Sequence, residues 1–561
     1  MTARLYVNTA AVAASCALGA CSYTPPSFPA PPVGGGAPAS VLVVADPQIH
    51  NVYGYRLRQT SRMADAVSKV AIRPPEQNLI APHALEHILR QGAPGNQEVV
   101  LLLGDATNVA CSSEYEEFDA AMQDGSGAGT LWLAAHGNHD SYMMGTVNNW
   151  IPADSINSTW ANAGWDAIDM PRSQVPTDEA WWGSGYVPDG NDGPSWNGVC
   201  YRPDSAGGGT PMNKVMWMRK YLDGLVSHGL EIPGPPLAAE VPAWPEPIDL
   251  DFYVRPGTRL ASIRYRAVGE WTPPHFGDAP SRSNFTRTAN SFIVQSAEFD
   301  EYSLLLIDTS VCGDVDGGFL FTKSAGSIAC LGDPQLDVIE ELADGLPRDK
   351  PLVVGAHHPL RNFGSSWWDR SREGGRERTR LLGILESHGA DWVYLSAHTH
   401  TSKDSIGIAS YNWESGVEIN VGSTTDWPMV GHRLFLTGDD PSLWPRASFF
   451  ASDAPELEYL PPSRRTQDFE LCRHLPAAEA LAELDPSTLG DTWTSPSPEA
   501  DCSLQTTREW SEAADSLQGF RDTIRARFDS EPDYREAVLR IATAASKRNH
   551  DSKDLASIIG H

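Results

Sequence analysis

Positive charge is scarce in this chain of 561 residues. The chain has 42 Lys and Arg against 72 Asp and Glu, which gives a formal net charge of −30. A surface of that sign repels nucleic-acid backbones, so no nucleic-acid partner is expected. The eight cysteines include no C-x-x-C pair, which argues against a structural zinc site. Beyond the N-terminus, no stretch is long and apolar enough to cross a bilayer.

The N-terminus has the features of an export signal. Residues 1–20 combine one basic side chain with a short, mostly apolar run. The run ends in L-G-A before Cys21, which resembles a bacterial lipobox and implies that lipidated Cys21 anchors the mature chain to a membrane. Residues 21–38 are rich in Pro and Gly and predict a tether without a core. The predicted location is the cell envelope, with a secreted protein as the alternative.

The cysteines that follow Cys21 are even in number, which suggests disulfides in an exported chain. Proximity in the sequence favours the pairs 312–330 and 472–502, which leaves 111–200 as the third. This pairing is one of several that the six positions allow.

Polar side chains follow five apolar runs along the chain. The runs at 41–45, 99–103, 131–135, 352–356 and 392–397 are predicted to be buried strands. They lead into Asp46-Pro47-Gln48, Gly104-Asp105, Gly137-Asn138-His139-Asp140, His357-His358-Pro359 and His398-Thr399-His400. Ligand sites collect at the carboxyl ends of the strands of an α/β sheet, so these side chains are expected to share one site.

The third of these turns combines three kinds of chemistry. Asn138 can offer an amide oxygen to a metal, and His139 can give a proton to a leaving oxygen. Asp140 can hold the imidazole in one tautomer. Four residues alone are a weak signal in a chain of this length, but the other four turns carry residues of matching types in a consistent order.

Together the five turns resemble the calcineurin-like metallophosphoesterases, whose pattern is D-x-H, G-D-x-x-D/N, G-N-H-D/E, H-x-P and G-H-x-H. The resemblance covers roughly residues 39–430. It departs from the pattern at Gln48, where the family has His, and at Ala397, where the family has Gly. Gln48 is still an oxygen donor, although it is a weaker ligand than imidazole.

The resemblance implies an α/β fold, a four-layer αββα metallophosphoesterase sandwich, over residues 39–440. Residues of about 145–290 are rich in Trp, Gly, Pro and Asn and are interpreted as an insertion that lies over the site. A lobe remote from the site is the alternative. One helix is predicted there at 212–226. Residues 441–561 are predicted to form a helical C-terminal extension with a packing role.

The same resemblance implies two divalent metal ions, for which Mn, Zn or Fe would be suitable. The first ion would be held by Asp46, Gln48, Asp105 and His400. The second ion would be held by Asp105, Asn138, His357 and His398. We call these the first and the second ligand set. Asp105 belongs to both, because a shared carboxylate offsets the repulsion between two cations. His50 is the alternative to Gln48.

The implied activity is the hydrolysis of phosphate mono- or diesters outside the cytoplasm by a hydroxide that bridges the two metals. His139 would protonate the leaving oxygen, with Asp140 as the partner of its imidazole. Asn108 stands where purple acid phosphatases have Tyr, so a purple iron centre is not expected and Asn108 is a candidate phosphate contact. A small phosphoester is the expected substrate. The alternative is a non-catalytic cell-envelope binding protein on the same scaffold, in which Gln48 marks a weakened metal site.

Overall fold

The structure is a computed structural model of the chain. It describes residues 39–51, 56–57, 73–92, 99–108, 110–126, 130–140, 168–169, 187–189, 193–195, 212, 214–227, 244–252, 260–269, 292–299, 301–310, 329–363, 374–401, 407–413, 416–436, 444–446, 458–460, 470–496 and 507–559. The predicted signal peptide, the lipid anchor at Cys21 and the tether lie outside these residues, as does most of the predicted insertion.

Two large sheets of five and eight strands dominate the described part of the chain. In chain order their strands are β1 (Ala39–Val44), β2 (Val99–Leu102), β3 (Leu131–Ala134), β4 (Trp244–Phe252), β5 (Leu260–Gly269), β6 (Phe292–Phe299), β7 (Ser303–Leu306), β8 (Leu352–Gly355), β9 (Trp392–Ser396), β10 (Ile408–Asn412), β11 (Gly416–Val421), β12 (His432–Leu436) and β13 (Trp444–Arg446). Short strands also pair as Arg56–Leu57 with Ile168–Asp169, Val187–Asp189 with Gly193–Ser195, and Glu458–Leu460 with Thr492–Thr494.

Both sheets have a parallel centre. The five-stranded sheet has the order β13-β12-β1-β2-β3, in which β1, β2 and β3 run parallel. The eight-stranded sheet has the order β10-β11-β9-β8-β7-β6-β5-β4, in which β7, β8, β9 and β11 run parallel. The predicted α/β class is confirmed, and the parallel strands bring their carboxyl ends to the same edge of each sheet.

The described helices are α1 (Pro75–Gly92), α2 (Ser112–Ser126), α3 (Lys214–Ser227), α4 (Asp333–Asp344), α5 (Gly374–His388), α6 (Glu470–Ala482), α7 (Thr507–Ser530) and α8 (Pro532–Ile559). A single 3-10 turn, Asn138–Asp140, follows β3. Within the described ranges, no helix has the length and the apolar character needed to cross a membrane.

The core accounts for the continuous apolar runs of the sequence. All residues of β2 and of β8 are buried, as strands covered on both faces require. One hydrophobic cluster joins both sheets to α1, α2 and the C-terminal helices, and Leu304 of β7 belongs to it. A second cluster joins Leu305 of the same strand to α4 and α5. Successive side chains of β7 therefore pack in different layers.

Part of the predicted insertion belongs to this core. Strands β4 and β5 extend the eight-stranded sheet beyond β6. The helix predicted at 212–226 is α3, and its Tyr221 is buried. The Tyr221 hydroxyl accepts a hydrogen bond from the amide of Ala134 (2.9 Å) and donates one to Gln295 (2.8 Å). Because Ala134 and Gln295 lie in different sheets, α3 bridges the sheets.

The C-terminal helices pack on the same core. Helices α6 and α8 contact α1, and Leu471 of α6 and Ile541 of α8 belong to the cluster that joins the two sheets. Strand β13 pairs with β12, so the five-stranded sheet continues past the boundary predicted at 440. The described part of the C-terminal region therefore contains three helices and short strands, and its helices share the hydrophobic core of the sheets.

Three cysteines of the described chain, Cys111, Cys330 and Cys472, are disulfide-bonded. Cys111 and Cys472 are buried in the core. The partners expected from the sequence, Cys200, Cys312 and Cys502, lie outside the described residues, so the pairing stays a prediction.

Candidate metal centre

Turns from both sheets meet at one place. The amide of Gln48 donates to the carbonyl of Asp105 (2.8 Å), which joins the turns after β1 and β2. Across the sheets, His357 Nδ1 lies 2.8 Å from the carbonyl oxygen of Leu103, and the amide of His398 donates to Asp46 Oδ2 (3.2 Å). The structure thus brings the predicted ligand sets together from strands that are far apart in the sequence.

Several predicted ligands have a left-handed backbone. Their φ angles are 47° at Asp46, 40° at Gln48, 56° at Asp105, 66° at His398 and 45° at His400. Residues with a Cβ avoid this region, and each one costs about 1–3 kcal/mol. Elsewhere in the described chain only Ala110 and Met429 share this feature among residues other than Gly. The backbone strain is therefore concentrated where side chains are aimed at one point.

Two glycines allow the turns to approach one another. A Cβ on Gly137 would lie 2.2 Å from both the amide nitrogen and Oδ1 of Asp105. A Cβ on Gly104, whose φ is 87°, would lie 2.8 Å from His357 Nδ1. Real Cβ atoms do not approach this closely, so any larger residue at either position would push the turns apart.

Four electron-pair donors of the second ligand set face one another. His357 Nε2 lies 2.8 Å from Asn138 Oδ1, 3.3 Å from Asp105 Oδ2 and 3.2 Å from His398 Nδ1. Because His357 Nδ1 donates to the Leu103 carbonyl, a neutral His357 presents a lone pair at Nε2. Octahedral ligands ~2.1 Å from one ion lie ~3.0 Å apart, so this spacing fits a bound cation.

The first ligand set is more open. His400 Nε2 lies 3.5 Å from Asp46 Oδ1, and Gln48 Nε2 donates to Asp105 Oδ2 (2.9 Å). Asp46 Oδ1 and Gln48 Oε1 are buried, and neither accepts a hydrogen bond from any residue in the described ranges. Buried oxygens without a hydrogen bond are costly, and coordination of a cation would remove that cost.

The charges of the site shift the pKa values of its side chains. Burial lowers the pKa of His357, but Asp105 and Asp46 outweigh burial and raise it to about 9. Burial likewise lowers the pKa of His400, but Asp46 and Asp426 raise it to about 9. Burial raises the pKa of Asp105, but His357 outweighs it and holds this pKa well below its usual range. A metal would therefore compete with protons for the imidazoles.

His139 lies beside the shared carboxylate. Its amide donates to Asp105 Oδ1 (2.8 Å), and its Nε2 lies 4.0 Å from Asp105 Oδ2. The Asn108 carbonyl oxygen, 2.6 Å from Nδ1, orients the ring, so Nε2 is the nitrogen left for chemistry. Burial lowers the pKa of His139, although Asp105 opposes this shift.

The predicted contact between Asp140 and the imidazole of His139 is wrong. Asp140 Oδ1 accepts from the amide of Thr107 (3.0 Å), and Oδ2 accepts from the amide of Gly137 (2.9 Å). The tight 3-10 turn directs this carboxylate back onto backbone amides, so it ties the turn after β3 to the turn after β2. Burial raises the pKa of Asp140.

Asn108 and His50 lie together next to these turns. Asn108 Nδ2 is 3.0 Å from His50 Nδ1, and Asn108 Oδ1 accepts from Arg73 (2.9 Å). His50 Nδ1 also lies 3.2 Å from Glu114. Of the two alternatives for the first ligand set, Gln48 therefore contacts the shared carboxylate, whereas His50 pairs with Asn108 and Glu114.

His358 and His136 neighbour the ligands in the sequence and are fixed by hydroxyls. His358 Nδ1 lies 2.9 Å from Thr309 Oγ1, and His136 Nδ1 lies 2.8 Å from Ser310 Oγ. Ring nitrogens of His357, His358 and His398 lie within 4.8 Å of one another, so His358 could also reach a cation held by the second ligand set.

Sequence reasoning assigned no role to two charged residues beside the first ligand set, although it placed one of them, Asp426, in a rim of the site after a strand. Asp426 contacts His400 Nδ1, and the guanidinium of Arg73 donates to both Asp426 oxygens (3.1 Å each). Asp426 follows β11, so its position after a strand was a usable signal. Arg73 lies just before α1 in a stretch without a motif, and nothing in the sequence pointed to it.

No protein-family model matches this chain, and a search of curated proteins found no match. The function is therefore inferred from the residues and the geometry of the site.

Proposed function

We propose that the chain is a binuclear metal-dependent phosphoesterase with the four-layer αββα sandwich of the calcineurin-like metallophosphoesterases. The observation that carries the proposal is the convergence of four electron-pair donors at His357 Nε2, with His139 beside the shared Asp105. The packing of α1 and α2 in one cluster, and of α4 and α5 in another, fits helices on the outer faces of two sheets.

In this proposal the two ligand sets hold two cations, and the mixture of carboxylate, amide and imidazole ligands suits Mn, Zn or Fe. Two such cations would supply Lewis acidity to the phosphoryl oxygens and an activated water. Asp105 Oδ1 is engaged by the His139 amide, which leaves Oδ2 to serve both sets. The strained backbone at five of the ligands indicates that the surrounding structure holds this arrangement before any substrate arrives.

His139 is the proposed acid. The Asn108 carbonyl holds the proton of Nδ1 and turns Nε2 toward the shared carboxylate. The acid is the imidazolium form, which carries a second proton at Nε2 and can pass it to the leaving oxygen of a phosphoester; burial lowers the pKa of His139 and so favours release of this proton. Asp140 contributes by fixing the turn that carries His139, since it accepts from the Thr107 and Gly137 amides.

The expected substrate is a small phosphoester outside the cytoplasm, reached by a chain anchored through lipidated Cys21. The N-terminal pattern supports this location, and so do the disulfide-bonded cysteines, since disulfides persist in oxidising compartments. The net charge of −30 disfavours nucleic acid as a substrate.

One observation favours a non-catalytic binding protein on the same scaffold. Gln48 stands where the family has an imidazole ligand, and its amide group donates to Asp105 Oδ2. A weakened first ligand set would leave one cation, which could bind a phosphate group without activating water. The two functions differ in the number of metals bound and in turnover.

The experiment is the hydrolysis of p-nitrophenyl phosphate and of bis-p-nitrophenyl phosphate by the metal-stripped protein after addition of Mn, Zn or Fe. We expect metal-dependent turnover of at least one substrate. His139→Ala should lower kcat by about 10²- to 10⁴-fold while both metals stay bound. His87→Ala is the matched control, because His87 lies on α1 and pairs with Gln91. One bound metal without turnover would support the binding protein, and no bound metal would contradict both functions.

A further inference from the structure

Arg73 contacts two turns of the site that lie far apart in the sequence, the one that carries Asn108 and the one that carries Asp426. We propose that Arg73 is a positioning residue for the first ligand set and that the C-terminal helix α6 holds Arg73 in place. This inference rests on the proposed binuclear function, since it assigns a role within the same site. It gives the C-terminal region a role beyond packing.

The contacts of Arg73 reach two different turns. Its side chain is fully buried, and Nε and Nη2 donate to the two oxygens of Asp426 (3.1 Å each). Its Nη1 donates to Asn108 Oδ1 (2.9 Å). Asn108 in turn orients His139 through its backbone carbonyl. One guanidinium therefore braces the turn after β11 and the turn that orients the proposed acid.

Asp426 transmits this contact to a metal ligand. Its Oδ2 contacts His400 Nδ1, which leaves His400 Nε2 facing Asp46 Oδ1 at 3.5 Å. A carboxylate on the far nitrogen of a ligating imidazole fixes the ring and increases its basicity. Gln77 adds a contact to Asp426 Oδ1, so the carboxylate is held from two sides. Misplacing Asp426 would therefore turn His400 away from the first ligand set.

The geometry of these contacts requires arginine. A planar guanidinium can donate two parallel hydrogen bonds to a carboxylate and a third to another acceptor, whereas a lysine ammonium is a single point charge. Removal of the charge would also leave Asp426 buried without its cationic partner, which is costly. Arg73→Lys therefore keeps the charge and removes the geometry.

Helix α6 secures the segment that carries Arg73. Arg473 donates to the carbonyl oxygen of Arg73 (3.2 Å). The next residue of the helix, His474, lies 3.2 Å from Asn78 Nδ2 in the first turns of α1. These contacts join residues about 400 positions apart in the sequence and bring the C-terminal region to the back of the metal centre.

The test is calorimetric titration of the metal-stripped full chain with Mn²⁺ alone. His400→Ala and Asn138→Ala are the reference variants, since each removes a ligand of one set and identifies the binding step of that set. We expect Arg73→Lys to weaken Mn²⁺ binding at the first ligand set by about 10- to 100-fold and to leave Mn²⁺ binding at the second ligand set unchanged. Arg527→Lys is the matched control, because Arg527 also holds a carboxylate and backbone carbonyls, those of Ala482 and Leu484, within the C-terminal helices.

A purely structural role for Arg73 would not produce a selective loss. The inference would be overturned if Arg73→Lys weakened binding equally at both ligand sets, weakened it only at the second ligand set, or changed it at neither. If Arg73→Lys does not fold, as judged by circular dichroism, Asp426→Asn gives the second test, because it keeps the shape of the side chain and should weaken the same step. If the wild-type chain binds no Mn²⁺ at the first ligand set, the proposed binuclear function is overturned, and this inference with it.

Discussion

The two ligand sets are built by different means. In the second set, His357 Nε2 lies 2.8 to 3.3 Å from its three neighbours, and its ring is oriented by the main-chain carbonyl of Leu103. In the first set, His400 lies 3.5 Å from Asp46, and its ring is oriented by the side chain of Asp426. The second set therefore depends on strands and the first on a chain of side chains.

This difference has consequences for stability and for metal affinity. The anchors of the second set are buried β-strands, which open only when the whole core opens. The anchors of the first set extend through Arg73 to helices α1 and α6. Changes in the C-terminal region should therefore reach the first set and spare the second.

The largest expected effect comes from Gly137→Ala, which should break both sets at once. The added Cβ would collide with the backbone and carboxylate of Asp105, the residue shared by the sets. We expect a loss of about 3 kcal/mol in the free energy of unfolding and loss of both metals. Urea denaturation and metal analysis measure these effects.

The control for this variant is Gly383→Ala in α5, where no atom of the described residues outside the neighbouring turns of the helix lies within 4 Å of the added Cβ. It should stabilise the chain by about 0.5–1 kcal/mol, because alanine is the better helix former. A Gly137→Ala protein that keeps both metals and its stability would show that the turns do not need their close approach.

The sequence predicts the second ligand set better than the network behind the first. Each ligand of the second set follows an apolar strand, and the carboxyl ends of parallel strands come together without any further information. Asp140 shows the limit of this reasoning, because the tightness of a single 3-10 turn decided that its carboxylate contacts the Thr107 and Gly137 amides and not the imidazole of His139.

Arg73 shows a second limit. Its partner Asp426 is 353 positions away, and no local pattern encodes a contact that depends on how the start of α1 packs against the turn after β11. The same holds for strands β4 and β5, whose irregular sequences resemble an insertion although they pair with the edge of the eight-stranded sheet. The spacing of apolar residues and the composition of a segment predict whether it is buried, but they do not predict which distant element it packs against.

Stepwise removal of metal should separate the two sets. With a chelator added in increments, we expect the first set to lose its metal before the second, since its donor atoms are less closely assembled. A metal present at about 100 times its Kd stabilises the fold by about 2.7 kcal/mol, so each loss should lower the melting temperature. Metal analysis beside calorimetry measures both steps. Simultaneous loss, or loss from the second set first, would contradict the comparison.

Acid should loosen the helices that support the first set. Burial beside α7 lowers the pKa of His83, in α1, to about 3. The unfolded chain takes up this proton near the ordinary value of 6.5, so stability is present above that pH and is lost as the pH falls toward 3. We expect a loss of about 2 kcal/mol between pH 7.5 and pH 5, measured by urea denaturation and absent in His83→Gln.

Glu86 on the same helix provides the opposite control. Burial raises its pKa to about 7, so the folded chain keeps a proton that the unfolded chain releases near 4.5. Its contribution to stability is therefore lost as the pH rises through 7. The gain in stability of Glu86→Gln over the wild-type chain should therefore be larger at neutral pH than at pH 5. Equal pH slopes in the two variants would show that these groups do not control the acid sensitivity of α1.

The smallest expected effect is also the sharpest test of the difference between the sets. Arg473→Met removes the hydrogen bond to the Arg73 carbonyl without touching any predicted ligand. Such a bond is worth about 0.5–1.5 kcal/mol, so affinity at the first set should fall by about 2- to 10-fold while the second set is unchanged. Arg535→Met is the matched control, because Arg535 donates in the same way to the Phe528 carbonyl (3.0 Å), away from the centre. If both variants leave both affinities unchanged, α6 only packs against the core, and the first set is held by Arg73 and Asp426 without help from the C-terminal region.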